Sequence, residues 1–296
     1  MTPLPRRRLI VSAVAIVIVA KIAGAYLVGS WLTAPAPSDV GTPPADLGAE
    51  AVIIEGTSGR RLGGWWMADA RACGVAVLMH PVRGNRRSMV SRARVLKAAG
   101  YSILLFDFQS HGERDGERIT FGFLESEDAR AAAAFARAKS PGLPLVAVGL
   151  SLGGIAATVA EPPLKADAFV LETVTPGLKE ATINRLRRWT GPFAPAVAAA
   201  LLVQVRPQLG FSPERIRPID RIGAIDAPVL IVAGAKDRRT TLADSRALYG
   251  AASEPKELWV VDGARHGDFG RLDMKEYASR VGGFLSAHLN CPAAPQ

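Results

Sequence analysis

The chain has 296 residues, of which 49% are hydrophobic and 21% charged, so it can bury one substantial core. Its two cysteines cannot form a disulfide scaffold, and no C-x-x-C or H-E-x-x-H spacing indicates a metal site, so a metal-dependent enzyme is disfavoured and no cofactor is expected. The net charge of +9 comes without a nucleic-acid-binding motif, and a nucleic-acid partner is therefore not expected.

The first 32 residues form an apolar N-terminal segment. Residues 9–32 follow Arg6, Arg7 and Arg8 and are long enough to cross a bilayer as a helix. Because no lysine or arginine occurs between residues 32 and 60, the leading arginines predict an inside N-terminus and an exported, extracytoplasmic body. Two interpretations stay open. Residues 1–32 are a retained signal-anchor, despite Lys21 near the middle of the run, or residues 23–25 are the A-x-A cleavage site of a signal peptide and the body is secreted.

The next segment, residues 33–49, is rich in proline, alanine and glycine, which predicts a linker. From residue 50 onward, short apolar runs alternate with helical stretches. The predicted strands are 51–55, 61–67, 74–80, 102–107, 143–149, 166–172, 228–233 and 257–262, and the predicted helices are 86–99, 124–138, 152–160, 243–250 and 272–289. The first two strands form a hairpin turned at residues 57–59. This alternation predicts an α/β fold: a mostly parallel sheet of about eight strands with helices on both faces.

Residues 173–222 break this alternation with several prolines and an apolar run at 193–205. They predict a helical insertion. Two compatible roles follow: the insertion packs a small core of its own, or it forms a cap that lines an acyl-binding pocket.

The strand that ends near residue 150 runs into a G-x-S-x-G turn, Gly149 to Gly153, and then into an alanine-rich helix. This is the context of a nucleophile elbow, which presents a serine hydroxyl at the end of a strand. The alternative is an ordinary glycine-flanked turn, because so short a motif also occurs by chance. The partners found further along the chain favour Ser151 as a nucleophile.

A serine nucleophile needs a base and an acid that orients the base. Of the four histidines, His266 follows the last predicted strand in a glycine-rich loop, where its imidazole can reach over the sheet edge. Asp237, directly after an apolar strand, is the predicted acid, and Glu172 is its rival or a pocket wall. His80 and His111 are expected to be structural and His288 exposed.

The oxyanion of an acyl-transfer intermediate needs two backbone donors. The first predicted donor is the amide of Leu152, which follows the nucleophile at a helix N-terminus. The second is the amide of Val82, in the loop after the third strand, since Pro81 has no N–H.

These motifs together resemble the α/β-hydrolase superfamily over about residues 50–290, and within it the membrane-anchored bacterial Bem46-like and serine-aminopeptidase-like hydrolases. The stretches that carry the resemblance are 80–85, 106–113, 120–125, 149–153, 234–237 and 263–266. The chain departs from the family pattern at His80-Pro81 and at Gln109-Ser110. The resemblance implies an α/β-hydrolase domain at 50–291 with a cap at 173–222, and structural roles for Asp107 and Glu125.

The resemblance also implies a serine hydrolase that cleaves a small-molecule acyl ester or thioester through an acyl-enzyme intermediate. The alternatives are a peptidase with the same three residues, anchored by Glu172 or Glu125, and a catalytically silent ligand-binding protein. In the implied fold, Cys73 and Cys291 both lie toward the face opposite the site. They would form a disulfide in an oxidising compartment, the alternative being two separate thiols.

Overall fold

The computed structural model describes residues 6–56, 60–113, 116–267, 274–289 and 291. Within these ranges an eight-stranded sheet has the order β10-β9-β8-β7-β4-β5-β3-β2. Its strands are β2 (Glu50–Glu55), β3 (Arg61–Met67), β4 (Gly74–Met79), β5 (Tyr101–Phe106), β7 (Leu145–Leu150), β8 (Ala168–Glu172), β9 (Val229–Gly234) and β10 (Lys256–Val261). The six strands from β10 to β5 are parallel, and β3 is antiparallel to both β5 and β2.

The sheet confirms the predicted α/β-hydrolase fold, with every strand within two residues of its expected bounds. The central strands β4, β5, β7, β8 and β9 are buried along their whole length. Strands covered on both faces need apolar side chains at every position, which is why their sequences are near-continuous apolar runs. The predicted hairpin turn at 57–59 lies outside the described residues.

Helices cover both faces of the sheet. One core contains residues of α3 (Phe123–Lys139), α4 (Leu152–Val159) and α8 (Leu242–Ala251). The core on the other face contains residues of α2 (Val90–Ala98) and α9 (Met274–His288). Residues 272–273, where the last helix was expected to start, lie outside the described part of the chain.

A helical insertion follows β8, as expected from its composition. It comprises α5 (Leu178–Thr190), α6 (Ala194–Leu202) and α7 (Val205–Leu209), and we call it the cap. Its apolar run is divided: Ala194, Ala198 and Val205 are buried, whereas Phe193 and Val203 are exposed to solvent. The cap therefore packs Leu178 and Val205 into the core of the body, rather than forming a separate core, and also presents apolar side chains outward.

The N-terminal segment forms α1 (Arg6–Leu32), whose residues 10–32 have a mean hydropathy of 2.3. By length and composition this helix can cross a membrane, a test that a signal sequence also passes. None of its apolar window is buried against the body.

The segment predicted as a linker lies against the body instead. Its two-residue strand β1 (Ala36–Pro37) pairs with β6 (His111–Gly112), and Val40 and Leu47 are each 1% exposed. The amides of Val40 and Gly41 both donate to the Glu113 carboxylate. Composition alone suggested a free linker, but the backbone of this segment finds hydrogen-bond partners in a loop more than seventy residues away.

A disulfide joins Cys73, directly before β4, to Cys291, directly after the last helix, with a Cα–Cα distance of 5.2 Å. The two ends of the body are thereby connected across 218 residues of sequence.

A buried charged cluster connects α2, β8 and α9. Glu172 accepts hydrogen bonds from the Arg92 guanidinium at 2.6 Å and from the Tyr277 hydroxyl at 2.6 Å, and all three side chains are almost fully buried. Burial together with the Glu172 carboxylate raises the pKa of Tyr277 well above its usual value, so the phenol stays a donor. The cluster stabilises the fold only while all its members are present, because each removal leaves a buried polar group unpaired.

Replacing Arg92 by Met is expected to lower the free energy of unfolding by about 3–5 kcal/mol, because the Glu172 carboxylate would stay buried without its cation. Urea denaturation near neutral pH measures the loss. Arg94→Met is the matched control: Arg94 lies on the same helix and pairs with Asp46, but both side chains are more than half exposed, and its loss is expected to be much smaller. Equal losses for the two variants would contradict the argument.

Candidate active site

Ser151 occupies the turn between β7 and α4, at the carboxyl edge of the sheet. Its backbone, with φ of 52° and ψ of −106°, is strained for a residue with a side chain. The flanking glycines make this turn sterically possible: a Cβ on Gly149 would collide with the backbone of Gly154, and one on Gly153 with the carbonyl of Met79. The motif thus allows α4 to start directly against β7 and β4 with the serine at the apex.

His266 lies in the loop after β10, where its imidazole reaches both other predicted residues. Its Nε2 is 3.1 Å from the Ser151 Oγ, and its Nδ1 is 2.8 Å from the Asp237 Oδ2. The structure therefore brings Ser151, Asp237 and His266 together from the loops after three different strands. Both distances are within hydrogen-bond range, and the order hydroxyl, imidazole, carboxylate is the one that general-base activation of a serine requires.

The Asp237 carboxylate is held in place from its other side. Its Oδ1 accepts hydrogen bonds from the backbone amides of Arg239 at 2.7 Å and Thr240 at 3.0 Å, and the side chain is fully buried. The Thr240 hydroxyl in turn donates to the Thr173 carbonyl at 3.0 Å, which connects this loop to the end of β8. Sequence analysis did not identify these amides, although their positions two and three residues after an aspartate are those of an Asx turn.

The two residues predicted as oxyanion donors lie at the same edge of the sheet. Leu152 is the first residue of α4, where an amide has no acceptor within the helix and the helix dipole favours negative charge. Val82 lies partly buried in the loop after β4. Since β4 and β7 are hydrogen-bonded neighbours with Met79 opposite Gly149, both loops leave the sheet side by side.

Glu172, the rival acid, lies elsewhere. Its carboxylate is bound by Arg92 and Tyr277 on the face of the sheet that α2 and α9 cover. Its main chain contacts the site, because its carbonyl oxygen accepts a hydrogen bond from the Ser151 amide at 2.8 Å. Glu125, the other acidic candidate, accepts from the Thr120 amide and hydroxyl and from the Gly122 amide at the start of α3. Both carboxylates are therefore occupied by interactions within the chain.

The remaining polar candidates support the loops around the site. The Asp107 carboxylate accepts from the Arg86 amide at 2.7 Å and pairs with its guanidinium at 2.9 Å, the structural role expected of it. His80 is fully buried; its Nε2 accepts from the Phe108 amide and its Nδ1 donates to the Pro81 carbonyl. His111 is also buried, and its Nδ1 donates to the Gln109 carbonyl.

His80 makes the stability of the protein sensitive to acid. Burial, together with the neighbouring His111, lowers the pKa of His80 from 6.5 to about 3. Below pH 6.5 the His80 imidazole binds a proton in the unfolded chain but not in the native protein. The free energy of unfolding therefore falls progressively as the pH falls from 6.5 toward 3.

Urea denaturation at neutral and at mildly acidic pH should show that His80→Gln loses less stability on acidification than the wild type. His288→Gln, which alters a partly buried histidine away from His80, is the control and should keep the wild-type dependence. An unchanged pH dependence in His80→Gln would contradict this assignment.

Among the described residues, no cluster of three or more histidine, cysteine, aspartate or glutamate side chains could hold a metal ion. A cavity of about 340 Å³ lies at the opposite end of the sheet, next to residues that precede β8 and β9, and is lined by Arg137, Lys165 and Asp226 among others. None of the three assembled residues contributes to it.

The comparisons with known proteins agree with this architecture. The profile of the Alpha/beta hydrolase family matches residues 63–280. An uncharacterized protein of Mycobacterium tuberculosis is 32% identical over 259 residues, covering 85% of this chain and 83% of that protein. A monoacylglycerol lipase of Mycolicibacterium smegmatis is 28% identical, covering 76% of this chain and 92% of the lipase.

Among solved structures, an esterase of Pyrococcus furiosus superimposes with a TM-score of 0.72 at 22% identity, covering 87% of this chain and 98% of the esterase. An α/β serine hydrolase of Xanthomonas campestris, described as lacking a lid, has a TM-score of 0.59 at 19% identity, covering 83% of this chain and 97% of that protein. At these identities the likeness concerns the fold. None of these relatives singles out the Bem46-like branch, and that narrower resemblance stays a prediction.

Proposed function

The chain belongs to the alpha/beta hydrolase family, and on this premise we propose that it is a serine hydrolase that cleaves carboxylic esters or thioesters through an acyl-enzyme intermediate. The observation that carries the proposal is the continuous chain from the Ser151 Oγ through both ring nitrogens of His266 to the Asp237 carboxylate. The strained elbow and the buried, doubly anchored carboxylate both support it.

The first half of the reaction forms the acyl-enzyme. The Ser151 Oγ attacks the carbonyl carbon while the His266 Nε2 takes the hydroxyl proton, and Asp237 stabilises the resulting imidazolium through Nδ1. The amides of Leu152 and Val82 bind the oxyanion of the tetrahedral intermediate. When the intermediate collapses, the bond to the leaving oxygen or sulfur breaks, and His266 passes its proton to the departing alcohol or thiol.

The second half releases the acid. A water molecule attacks the acyl carbon as His266 takes one of its protons, a second oxyanion forms in the same position, and its collapse returns the proton to the Ser151 Oγ. Every proton is carried by His266, and the cycle needs no cofactor.

An ester substrate fits the surroundings better than a peptide does. A peptidase that binds a substrate amine needs a free carboxylate, and the two candidates for that role, Glu172 and Glu125, are both occupied within the chain. Helix α6 of the cap consists only of apolar residues, which suits an acyl chain. The monoacylglycerol lipase among the relatives makes monoacylglycerols reasonable test substrates.

The proposed organisation is a membrane segment at residues 1–32, a connecting segment at 33–49 and a hydrolase body at 50–291 with its cap at 173–222. The body lies outside the cytoplasm, anchored by α1 or released after signal cleavage. The leading arginines and the Cys73–Cys291 disulfide support this location, because disulfides persist in oxidising compartments.

The experiment that tests this function combines covalent labelling with a substrate series. The full-length chain should react with a fluorophosphonate probe, with the label on the peptide that contains Ser151. It should also hydrolyse p-nitrophenyl esters, and a series of increasing acyl length would then define the preferred chain. A folded protein that neither labels nor cleaves any ester would overturn the proposal and favour a silent ligand-binding protein.

A further inference from the structure

The end of α1 is attached to the body at two places, the loop after β4 and the cap. At the first, the Arg83 guanidinium donates to the Trp31 carbonyl at 2.8 Å and lies over the Trp31 ring, 5.4 Å from its centroid. Arg83 follows Val82, the proposed oxyanion donor, and has a left-handed backbone with φ of 57°. The last turn of the apolar helix is therefore bonded to the loop that would bind the oxyanion.

At the second, the cap holds the same helix one to two turns earlier. Gln204 donates to the Ala25 carbonyl at 2.8 Å, and Gln208 donates to the Tyr26 carbonyl at 3.1 Å. These contacts fix the depth of the cap relative to any membrane that α1 crosses. About twenty helical residues span a hydrocarbon core of about 30 Å. Counted from Ile10, such a span ends near Gly29, so Ala25 and Tyr26 lie in its last turn or so, about 5 Å inside the boundary between hydrocarbon and headgroups.

The cap also carries most of the exposed apolar surface of the body. Outside α1, four large apolar side chains are exposed in the part of the chain that the structure describes. Three of them lie on the cap: Trp189 at 75% exposure, Phe193 at 73% and Val203 at 79%. We call these three side chains the cap patch. Val203 directly precedes Gln204 and so lies next to the contact with α1, whereas Trp189 and Phe193 lie near the other end of α6.

The charge of the same region favours an anionic surface. The cap helices, residues 178–209, contain four arginines and Lys179 against a single acidic residue, Glu180. Arg187 and Arg188 are on the exposed end of α5, and the Arg188 guanidinium lies over the Trp189 ring at 5.0 Å from its centroid, whereas the Arg185 guanidinium lies near Asp237 and Arg239. Arginines beside exposed aromatic and aliphatic side chains are the composition of an element that rests on anionic headgroups with its apolar side chains in the interface.

From this juxtaposition we infer that the cap patch docks on the surface of the anionic bilayer that α1 crosses, and that Ser151 takes its ester from lipids in that bilayer. The inference deepens the proposed function and rests on it. The substrate class that follows is a lipid ester whose carbonyl lies at headgroup depth, such as a monoacylglycerol, rather than a water-soluble ester.

Docking can be measured without any activity. The native cysteines are joined in the disulfide, so a thiol-reactive environment-sensitive fluorophore labels only an introduced cysteine. In the full chain reconstituted into vesicles of phosphatidylcholine and phosphatidylglycerol, a probe on Val203→Cys should shift to shorter wavelength and be quenched by brominated acyl chains. A probe on Ile53→Cys, at the exposed residue on the edge strand β2, should stay accessible to aqueous iodide. Aqueous accessibility of both probes would overturn the inference.

Activity provides the second readout. Replacing Trp189, Phe193 and Val203 together by serine should lower hydrolysis of monooleoylglycerol in these vesicles by about tenfold or more while hydrolysis of soluble p-nitrophenyl acetate stays within about twofold. Ile53→Ser should change neither. If the triple variant keeps the wild-type rate on vesicles, or loses both activities equally, the inference is wrong. If the wild type cleaves neither substrate, the proposed function fails with its lipid substrate, and docking is judged by the probe alone.

Discussion

Ser151→Ala should abolish labelling by fluorophosphonates and lower kcat for ester hydrolysis by about 10⁵–10⁶-fold. The Ser151 Oγ is the atom that His266 is positioned to activate, 3.1 Å away, and alanine leaves no nucleophile on the elbow. Binding and the oxyanion donors would remain, so a small residual rate over water is expected. Steady-state kinetics with a p-nitrophenyl ester and in-gel labelling measure the two effects on the full-length chain.

The loss of labelling and of kcat in Ser151→Ala must be distinguished from a loss caused by unfolding. The only side-chain hydrogen bond of Ser151 in the described structure is the one to His266, so removing the hydroxyl should leave the urea midpoint close to that of the wild type. Ser253→Ala is the matched control: Ser253 is exposed, and its hydroxyl donates to the Gly223 carbonyl, away from the site. It should keep full labelling and full activity. If Ser151→Ala is still labelled by the fluorophosphonate, the nucleophile is another residue, and the interpretation of residues 149–153 as a nucleophile elbow is wrong.

Sequence patterns were sufficient to predict the fold because each strand of the central sheet is marked by its own apolar run. A strand buried on both faces must be apolar throughout, and the flanking glycines, prolines and helical stretches mark its ends. The pairing of β1 with β6 carries no such signal. It is two residues long, and it depends on the approach of residues 36–37 to residues 111–112, which only the assembled fold determines. The hydrogen bond from the Arg83 guanidinium to the Trp31 carbonyl likewise depends on the assembled fold and has no signal in the sequence.

The choice between Asp237 and Glu172 shows what sequence alone left open. Both follow or end an apolar strand before His266, so spacing does not separate them. In the structure, Glu172 is still part of β8, and the period of two puts its side chain on the same face as Val170, toward α2 and α9. Asp237 lies beyond β9 in a loop, free to turn over the sheet edge toward the imidazole. Whether the carboxylate is still within the strand or a few residues beyond its end therefore decides which of the two the imidazole contacts.

Because Asp237 and not Glu172 contacts the imidazole, we expect the second large loss of activity at Asp237. Asp237→Asn should lower kcat/KM for esters by about 10⁴-fold. An asparagine amide is close to the carboxylate in size and can still accept the Arg239 and Thr240 amides through its oxygen. Its NH₂ group would then face Nδ1, which favours the imidazole tautomer with the proton on Nε2, and that nitrogen could no longer accept the Ser151 proton. The variant should therefore fold normally, and the loss should lie in kcat.

Glu172→Gln is the control that distinguishes the two acids. It leaves the Arg92 charge without its buried partner, so it should lower the free energy of unfolding while kcat at 25 °C stays within a few-fold of the wild type, because the Glu172 carboxylate does not contact His266. Urea denaturation and ester kinetics on the two variants together therefore separate orientation of the base from support of the fold. If Asp237→Asn keeps its activity and Glu172→Gln loses it without unfolding, the acid is Glu172, and the imidazole must turn away from the loop after β9 during catalysis.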